Sequence, residues 1–256
     1  MGGRAALVVV AGLALVGCGG RATAIALPAG SRVLARGSLA YAVAFAADDR
    51  VVSVELEERF ALVVRTADGR LRGRFDLGPA ERDLGALAVG GGTAWVGGAD
   101  RRVRGLALAD GRPVATWPIG ARVTALATLP DGRLAIADAD GGLCLRRLDD
   151  GALLQCVQLG DRPVTALDPR GAVLVATVAG RRLGLALPGL ALVPAPAEPR
   201  RIERRGRDLR LDGGPVIRLG GAVQAVAIDG RGRIAIAAWI AGLDDPSVVL
   251  VPARSR

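Results

Sequence analysis

The chain has 256 residues, a net charge of +9 at neutral pH and no histidine, and all 34 of its basic residues are arginine. Without histidine or lysine it cannot supply an imidazole base, a Ser-His or Cys-His nucleophile, a histidine metal ligand or a lysine Schiff base. Its 25 acidic residues leave carboxylate chemistry open, but their spacing indicates neither an acid–base pair nor a metal site. We therefore expect no catalytic residue, no metal and no cofactor.

The N-terminus, MGGRAALVVVAGLALVGCGG, has one arginine followed by an apolar run over residues 5–16. This run is too short for a transmembrane helix, which needs about 20 residues. A basic start, a short apolar run and a small residue at the cleavage position are typical of a secretory signal peptide.

The end of the run, Leu15-Val16-Gly17-Cys18, resembles the lipobox of bacterial lipoprotein signal peptides. The resemblance implies cleavage before Cys18 and attachment of acyl chains such as palmitate to that cysteine. It divides the chain into a signal peptide over residues 1–17, a tether over 18–30 and a domain over 31–256. The domain would then be anchored by lipid to a membrane of the cell envelope, facing the periplasm or the exterior. The alternative is an ordinary thiol at Cys18 behind a standard secretory signal.

A short apolar phrase recurs along the domain as LAYAVAF, DLGALAV, RVTALAT, PVTALDP and AVQAVAI. The intervals between its central alanines are 44, 39, 41 and 59 residues, counted from Ala42 through Ala86, Ala125 and Ala166 to Ala225. The first three intervals match the length of a four-stranded propeller blade, about 40–45 residues. The last interval can hold one blade with an insertion, or one blade and a three-stranded remnant.

Asp-Gly pairs separate the apolar runs and predict tight hairpin turns. They occur at Asp68, Asp110, Asp131, Asp140, Asp150, Asp212 and Asp229. The clearest unit, VTALATLPDGRLAIADADGGLCLRRLDDGALL, resembles a blade of the WD-repeat and quinoprotein-like β-propellers. We expect an all-β propeller of five or six four-stranded blades, and we prefer six.

The ends of the domain predict how the ring closes. Residues 31–39, SRVLARGSL, have the character of an outer strand before any blade has begun, whereas the last blade has strands near Gln224, Ile234 and Val248 only. Pairing of residues 32–37 with that blade would supply its fourth strand and remove a sheet edge. We therefore expect a closed, monomeric ring.

Cys144 and Cys156 are equally distant from Asp150, which lies in the predicted Asp149-Asp150-Gly151 turn. A hairpin that closes there places the two cysteines opposite each other on adjacent strands. Outside the cytoplasm this arrangement favours a disulfide, and two reduced thiols are the alternative.

In a propeller, the loops that join second to third strands and one blade to the next gather on one face, where binding sites usually lie. The candidate binding residues there are Asp100, Arg101, Arg102, Asp138, Asp140, Arg181, Arg182, Asp244 and Asp245, with Arg82, Asp83, Arg122 and Arg162 beside them.

Both charges are mixed in this set, and only seven aromatic residues are available to stack on nucleic acid bases. We therefore expect a non-enzymatic binding or scaffold module for an envelope protein or polymer, with no nucleic acid partner. The alternative is an extracytoplasmic hydrolase or lyase with a divalent cation on Asp138, Asp140, Asp244 or Asp245.

Overall fold

The computed structural model describes residues 7–10, 31–37, 39–79, 82–197, 202–205, 208–211, 216–218, 223–229, 231–239 and 246–252. These residues form 24 β-strands, with no α-helix among them, and neighbouring strands pair antiparallel. In this described part, no helix long and apolar enough to cross a membrane is found. The predicted all-β propeller is confirmed.

Two strands, β1 (Leu7–Val10) and β2 (Arg32–Arg36), precede four blades that are each built from four consecutive strands. The first blade contains β3 (Leu39–Phe45), β4 (Val51–Leu56), β5 (Arg59–Arg65) and β6 (Leu71–Pro79). The second contains β7 (Leu84–Gly90), β8 (Thr93–Gly98), β9 (Arg102–Ala107) and β10 (Pro113–Pro118). The third contains β11 (Val123–Thr128), β12 (Arg133–Asp138), β13 (Gly142–Arg147) and β14 (Leu153–Gln158). The fourth contains β15 (Val164–Arg170), β16 (Val173–Val178), β17 (Arg181–Ala186) and β18 (Ala191–Val193).

The long interval before the last blade contains a separate three-stranded sheet. Its strands are β19 (Ile202–Arg205), β20 (Asp208–Leu211) and β21 (Val216–Arg218). The propeller has five four-stranded blades, so the preference for six is wrong. The physical reason lies in the sequences IERR, DLRL and VIR, which are short and rich in charge. Such strands have too few apolar residues to pack between two neighbouring sheets.

The fifth blade contains β22 (Val223–Ile228), β23 (Ile234–Trp239) and β24 (Pro246–Val251). Its fourth strand is β2, which pairs antiparallel with β24, from Arg32 opposite Leu250 to Arg36 opposite Ser247. The N-terminal strand of the domain thus completes the last blade, as the sequence predicts.

Burial explains why the inner strands are apolar on both sides. In β5, the five residues from Phe60 to Val64 are buried, and in β8 the last five are buried, because each sheet packs between two neighbours. In the outer strand β10, exposed and half-buried residues alternate, since only one side faces a neighbouring blade.

Apolar clusters fill four of the junctions between blades, and each cluster combines residues of two neighbouring blades. Buried residues from the two sides are, in ring order, Leu62 and Leu87, Trp95 and Leu126, Leu143 and Leu174, and Ala237 and Val43. A further cluster contains residues of the fifth blade and Val33 only. Among the described side chains, the junction between the fourth and fifth blades therefore has no shared cluster.

At that junction lies β1, a strand that the sequence did not predict as part of the domain. It pairs antiparallel with both β15 and β22, the innermost strands of the fourth and fifth blades. The two blades and β1 thereby form one nine-stranded sheet that ends at β2. Leu7–Val10 lies inside the segment predicted to be a signal peptide, and these four residues are paired within the sheet.

Candidate functional site

Most of the candidate residues lie on a single face of the propeller, which we call the loop face. This face consists of the hairpins between second and third strands and the connections to the next blade. Its described segments are 57–58, 82–83, 99–101, 119–122, 139–141, 159–163 and 179–180. Because successive strands reverse direction, the turns between first and second and between third and fourth strands lie on the other side, which we call the opposite face.

Backbone hydrogen bonds tie each hairpin of the loop face to the connection beside it. The Ala99 amide donates to the Arg82 carbonyl over 3.0 Å, and the Ala139 amide donates to the Arg122 carbonyl over 2.9 Å. The Leu159 amide donates to the Gly141 carbonyl over 3.0 Å. These bonds make the loop face a fixed surface, since its backbone is held on both sides.

Two glycines allow this close approach of backbones. A Cβ at Gly98 would overlap the Asp83 carbonyl oxygen, and one at Gly141 would overlap the Gly160 carbonyl oxygen. Gly141 also has a φ of +84°, a conformation that a residue with a side chain adopts only at a cost. The hairpins therefore depend on glycine at the positions where a connection crosses them.

Asp100 forms an ion pair with Arg104, and both side chains are mostly buried. The Arg82 guanidinium approaches the same carboxylate at 3.9 Å. Asp100 thus fixes the hairpin of the second blade rather than presenting a free charge to a partner.

Asp138 is also engaged within its own hairpin. Its Oδ1 atom accepts hydrogen bonds from the amides of Asp140 and Gly142, at 3.0 and 2.8 Å. Asp140 is exposed, and its carbonyl oxygen accepts a hydrogen bond from the Gln158 side chain over 2.5 Å. Asp138 shapes the loop, whereas the Asp140 carboxylate is directed to solvent.

Four arginines project from the loop face into solvent. Arg101, Arg102, Arg162 and Arg181 are exposed, and within the described residues their side chains make no hydrogen bond or ion pair. Arg182 differs, because it donates a hydrogen bond to the Pro196 carbonyl over 3.2 Å.

Asp244 and Asp245 lie outside the described residues, so their predicted place on this face stays a prediction. Among the residues that the structure describes, no three acidic or sulfur-bearing side chains come together as a metal site would require. Asp138 and Asp140 therefore have no third acidic partner within that part of the chain.

An ion pair crosses the junction between the second and third blades, where Arg122 reaches Asp83 at 2.6 Å.

Tyr41, on the innermost strand of the first blade, lies close to Asp83. Burial raises the pKa of the Tyr41 hydroxyl, and the negative charge of Asp83 raises it further. Its ring packs edge-on against Phe60, with 5.2 Å between ring centroids. The phenol therefore remains neutral at physiological pH.

Glu57 and Glu58, which form the equivalent hairpin of the first blade, were not among the predicted site residues. Glu57 pairs with Arg74 at 2.9 Å and remains half exposed. The repeat contains the signal that would have found them, since they occupy the position held by Asp100 and Asp140 in later blades. Asp161 on the connection to the fourth blade is a third exposed acid that was not predicted.

Cys144 and Cys156 lie opposite each other on β13 and β14, in the predicted register. Their Cα atoms are 4.1 Å apart, and the structure joins their sulfurs in a disulfide. This hairpin lies at the outer side of the third blade, away from the loop face.

A small pocket lined mainly by apolar side chains lies on the propeller axis. It lies where the innermost strands of the first four blades end, toward the opposite face. Its lining is Ala44, Phe45, Ala88, Val89, Leu126, Ala127, Thr128, Leu167 and Pro169. No charged group lines this pocket, so it offers no acid–base or metal-binding chemistry.

No protein-family model matches the chain, and no curated protein matches it. Solved structures do match, and the WD40 β-propeller domain of Doa1 has a TM-score of 0.51 with 15% sequence identity. That match covers 82% of this chain and 62% of the other, so the chain spans less than two thirds of that structure. The computationally designed Ika4 protein has a TM-score of 0.46 and 20% identity, over 54% of this chain and 85% of the other. The chain has a WD40-like β-propeller fold, as its repeat resemblance implies, and at this identity the likeness extends to the fold alone.

Proposed function

We propose that this protein is a lipid-anchored, extracytoplasmic β-propeller that binds an envelope protein or polymer through its loop face and catalyses no reaction. The observation that carries the proposal is the unequal pairing of charge on the two faces. Arg101, Arg102, Arg162 and Arg181 on the loop face are exposed and, in the described part of the chain, unpaired.

Most charges on the opposite face are paired within their own turns, and the exceptions include Arg70 and Arg112, which are exposed and make no ion pair within the described residues. Arg50 pairs with Asp48 at 2.6 Å and Arg233 with Asp229 at 2.6 Å. Equivalent pairs join Arg133 with Asp131 and Arg147 with Asp150. A partner at the opposite face would have to separate these pairs, whereas a partner at the loop face can use free guanidinium groups for steering and for hydrogen bonds.

The position of β2 favours presentation of the loop face away from the anchor. Arg32, its first residue, pairs with Leu250 near the end of β24, while Arg36 pairs with Ser247 near the start of β24. The tether over residues 18–30 would therefore join the domain at the opposite face. A propeller held in this way directs its loop face outward from the membrane.

The absence of catalysis is proposed from the side chains that the sequence contains. Histidine and lysine are missing, and within the described residues the acids on the loop face bond to backbone, pair with arginine or stand alone. A rigid face with separated charges suits recognition better than acid–base chemistry, which needs paired groups of shifted pKa.

The test compares charge reversal on the two faces of the anchored protein. Arg101→Glu with Arg102→Glu removes two free cations of the loop face, and Arg70→Glu with Arg112→Glu is the matched control on exposed residues of the opposite face. Affinity capture from solubilised membranes should lose its specific co-purifying partner with the first pair and keep it with the second. Retention with both pairs, or equal loss with both, would contradict the proposal.

A further inference from the structure

The junction between the fourth and fifth blades is bridged by backbone pairing through β1. Leu7 pairs opposite Ile228 and Val10 opposite Ala225, while Val8 pairs opposite Leu167 on the other side. The other junctions are filled by apolar clusters shared between blades. Among the described residues, backbone pairing with an inserted strand thus joins the blades at this junction, whereas shared side-chain clusters join them at the others.

Removal of residues 1–17 would vacate the space between β15 and β22, which we call the slot. Two inner strands would then each present unpaired N–H and C=O groups toward the axis. Unpaired strand edges readily pair with another strand. Buried N–H and C=O groups that lack hydrogen-bond partners raise the free energy of the folded state.

We propose that the slot of the processed protein binds an extended apolar segment of a partner protein by β-strand addition. The inference rests on the proposed function, because it requires a processed binding module with residues 1–17 removed. The segment runs antiparallel to β15 and β22 and needs about four uncharged residues, the length over which strand β1 pairs.

The surroundings of the slot define the chemistry of this segment. Leu167, opposite Val8, also lines the axial pocket, whose lining contains no charged residue. A charged side chain entering there would lose its hydration without gaining a partner. The chain's own occupant, LVVV, is rich in β-branched residues that favour extended backbone.

The direction of pairing also fixes the route of entry. Leu7 lies opposite Ile228, next to the turn at Asp229 on the opposite face. A bound segment therefore enters by its N-terminal end from the opposite face, and this contact is separate from the arginines of the loop face.

The test uses the full chain, in which Val9→Pro should release β1 because proline cannot donate to the ladder. The probe is a fluorescently labelled peptide of residues 3–12, GRAALVVVAG, and its binding is measured by fluorescence anisotropy. Val16→Pro, which lies beyond β1, is the matched control chain, and the peptide with the same Val9→Pro change is the matched control probe.

The Val9→Pro chain should bind the unmodified peptide at least about tenfold more tightly than the wild-type or Val16→Pro chains, and about tenfold more tightly than the proline peptide. Equal peptide binding by all three chains, or no peptide binding by the Val9→Pro chain, would overturn the proposal that the slot binds a strand. If that chain does not fold alone, cooperative melting restored by added peptide supports the proposal, and failure to restore it overturns the proposal. Charge reversal on the loop face should leave peptide binding unchanged, so the slot and the loop-face proposal fail independently.

Discussion

At the scale of single residues, buried charge is concentrated around Glu55 on β4. Its carboxylate is fully buried, accepts a hydrogen bond from Ser53 over 2.5 Å, and is paired with the guanidinium of Arg65. Val51, on the same side of β4, belongs to the cluster shared by the first and fifth blades. The pair therefore lies beside the junction where the ring closes.

Glu55→Ala should lower the free energy of unfolding by about 3 kcal/mol, because it leaves the mostly buried Arg65 cation without its carboxylate. Glu57→Ala is the matched control on the same hairpin. Its half-exposed pair with Arg74 should contribute less than about 1 kcal/mol. Urea denaturation of both variants measures the difference, and similar losses would contradict the role assigned to Glu55.

The environment of the Asp131 carboxyl group predicts that the stability of the fold depends on pH. A hydrogen bond from Arg133 lowers the pKa of its carboxyl below the usual value of 3.8. A lowered pKa in the folded state stabilises the fold above about pH 4, and this stabilisation is lost as the pH falls further.

Asp131→Asn should therefore lower the melting temperature at pH 7 and have a smaller effect near pH 3. Melting curves across this range measure the change. Asp161→Asn, at an exposed acid with no ion pair in the described part of the chain, is the control and should have little effect at either pH. An Asp131→Asn effect that does not shrink in acid would refute the pairing.

The residue scale also limits what sequence can predict about the candidate site. The loops, and the mixture of Asp and Arg within them, follow from the repeat. Which charges are free does not follow, because Arg122 pairs with Asp83 across a blade junction. That partner is set by the approach of two loops in three dimensions.

At the scale of elements, the Asp-Gly turns share the same two residues but differ in how closely other side chains pack against their glycines. Gly111 and Gly132 both have positive φ, at +73° and +80°. A Cβ at Gly111 would overlap the ring of Phe75 from the first blade, whereas a Cβ at Gly132 would meet nothing within 4 Å. The turn at Gly111 therefore takes part in packing between the first two blades.

Gly111→Ala should destabilise the fold by about 1 to 3 kcal/mol more than Gly132→Ala. Both substitutions place a side chain on a residue with positive φ, which strains the backbone, but only Gly111→Ala must also displace the Phe75 ring. Thermal and urea unfolding of the two variants provide the measurement. Equal destabilisation would mean that the first and second blades do not pack as described.

The elements were predicted well where the pattern was local and repeated. Four blades and the three strands of the fifth follow from apolar runs divided by turns, and the closing role of β2 follows from an outer-strand sequence with no blade before it. The three-stranded sheet was one of the two alternatives left open for the interval before the last blade, whereas β1 was not predicted. The interval of 59 residues fits two arrangements, and the run around Leu7–Val10 has the same composition whether it is a signal segment or a strand.

At the scale of the whole molecule, the ring and the proposed anchor together would determine which surface is available to a partner. The start of β2 lies at the opposite face, so a lipid at Cys18 would tether that side and leave the loop face outward. The domain matches a WD40-like propeller in fold, while binding properties depend on the side chains of its own loops.

Cys18→Ala should abolish lipid anchoring, because the thiol is the predicted acylation site. Metabolic labelling with a fatty acid should mark the wild-type protein and not the variant, and only the wild type should fractionate with membranes. Leu15→Ala tests the lipobox separately and should reduce both signals. Equal labelling of wild type and Cys18→Ala would refute the anchor.

The central claim is that the loop face contacts the partner, and site-specific photo-crosslinking in cells tests it most directly, because the chain has no lysine for amine-reactive reagents. A photoreactive residue replaces Arg102 or Arg162 on the loop face, and Asp110 or Asp131 on the opposite face as controls. We predict a discrete crosslinked species of higher mass from the loop-face positions and none from the controls. Crosslinks from the opposite face alone, or from neither face, would contradict this account.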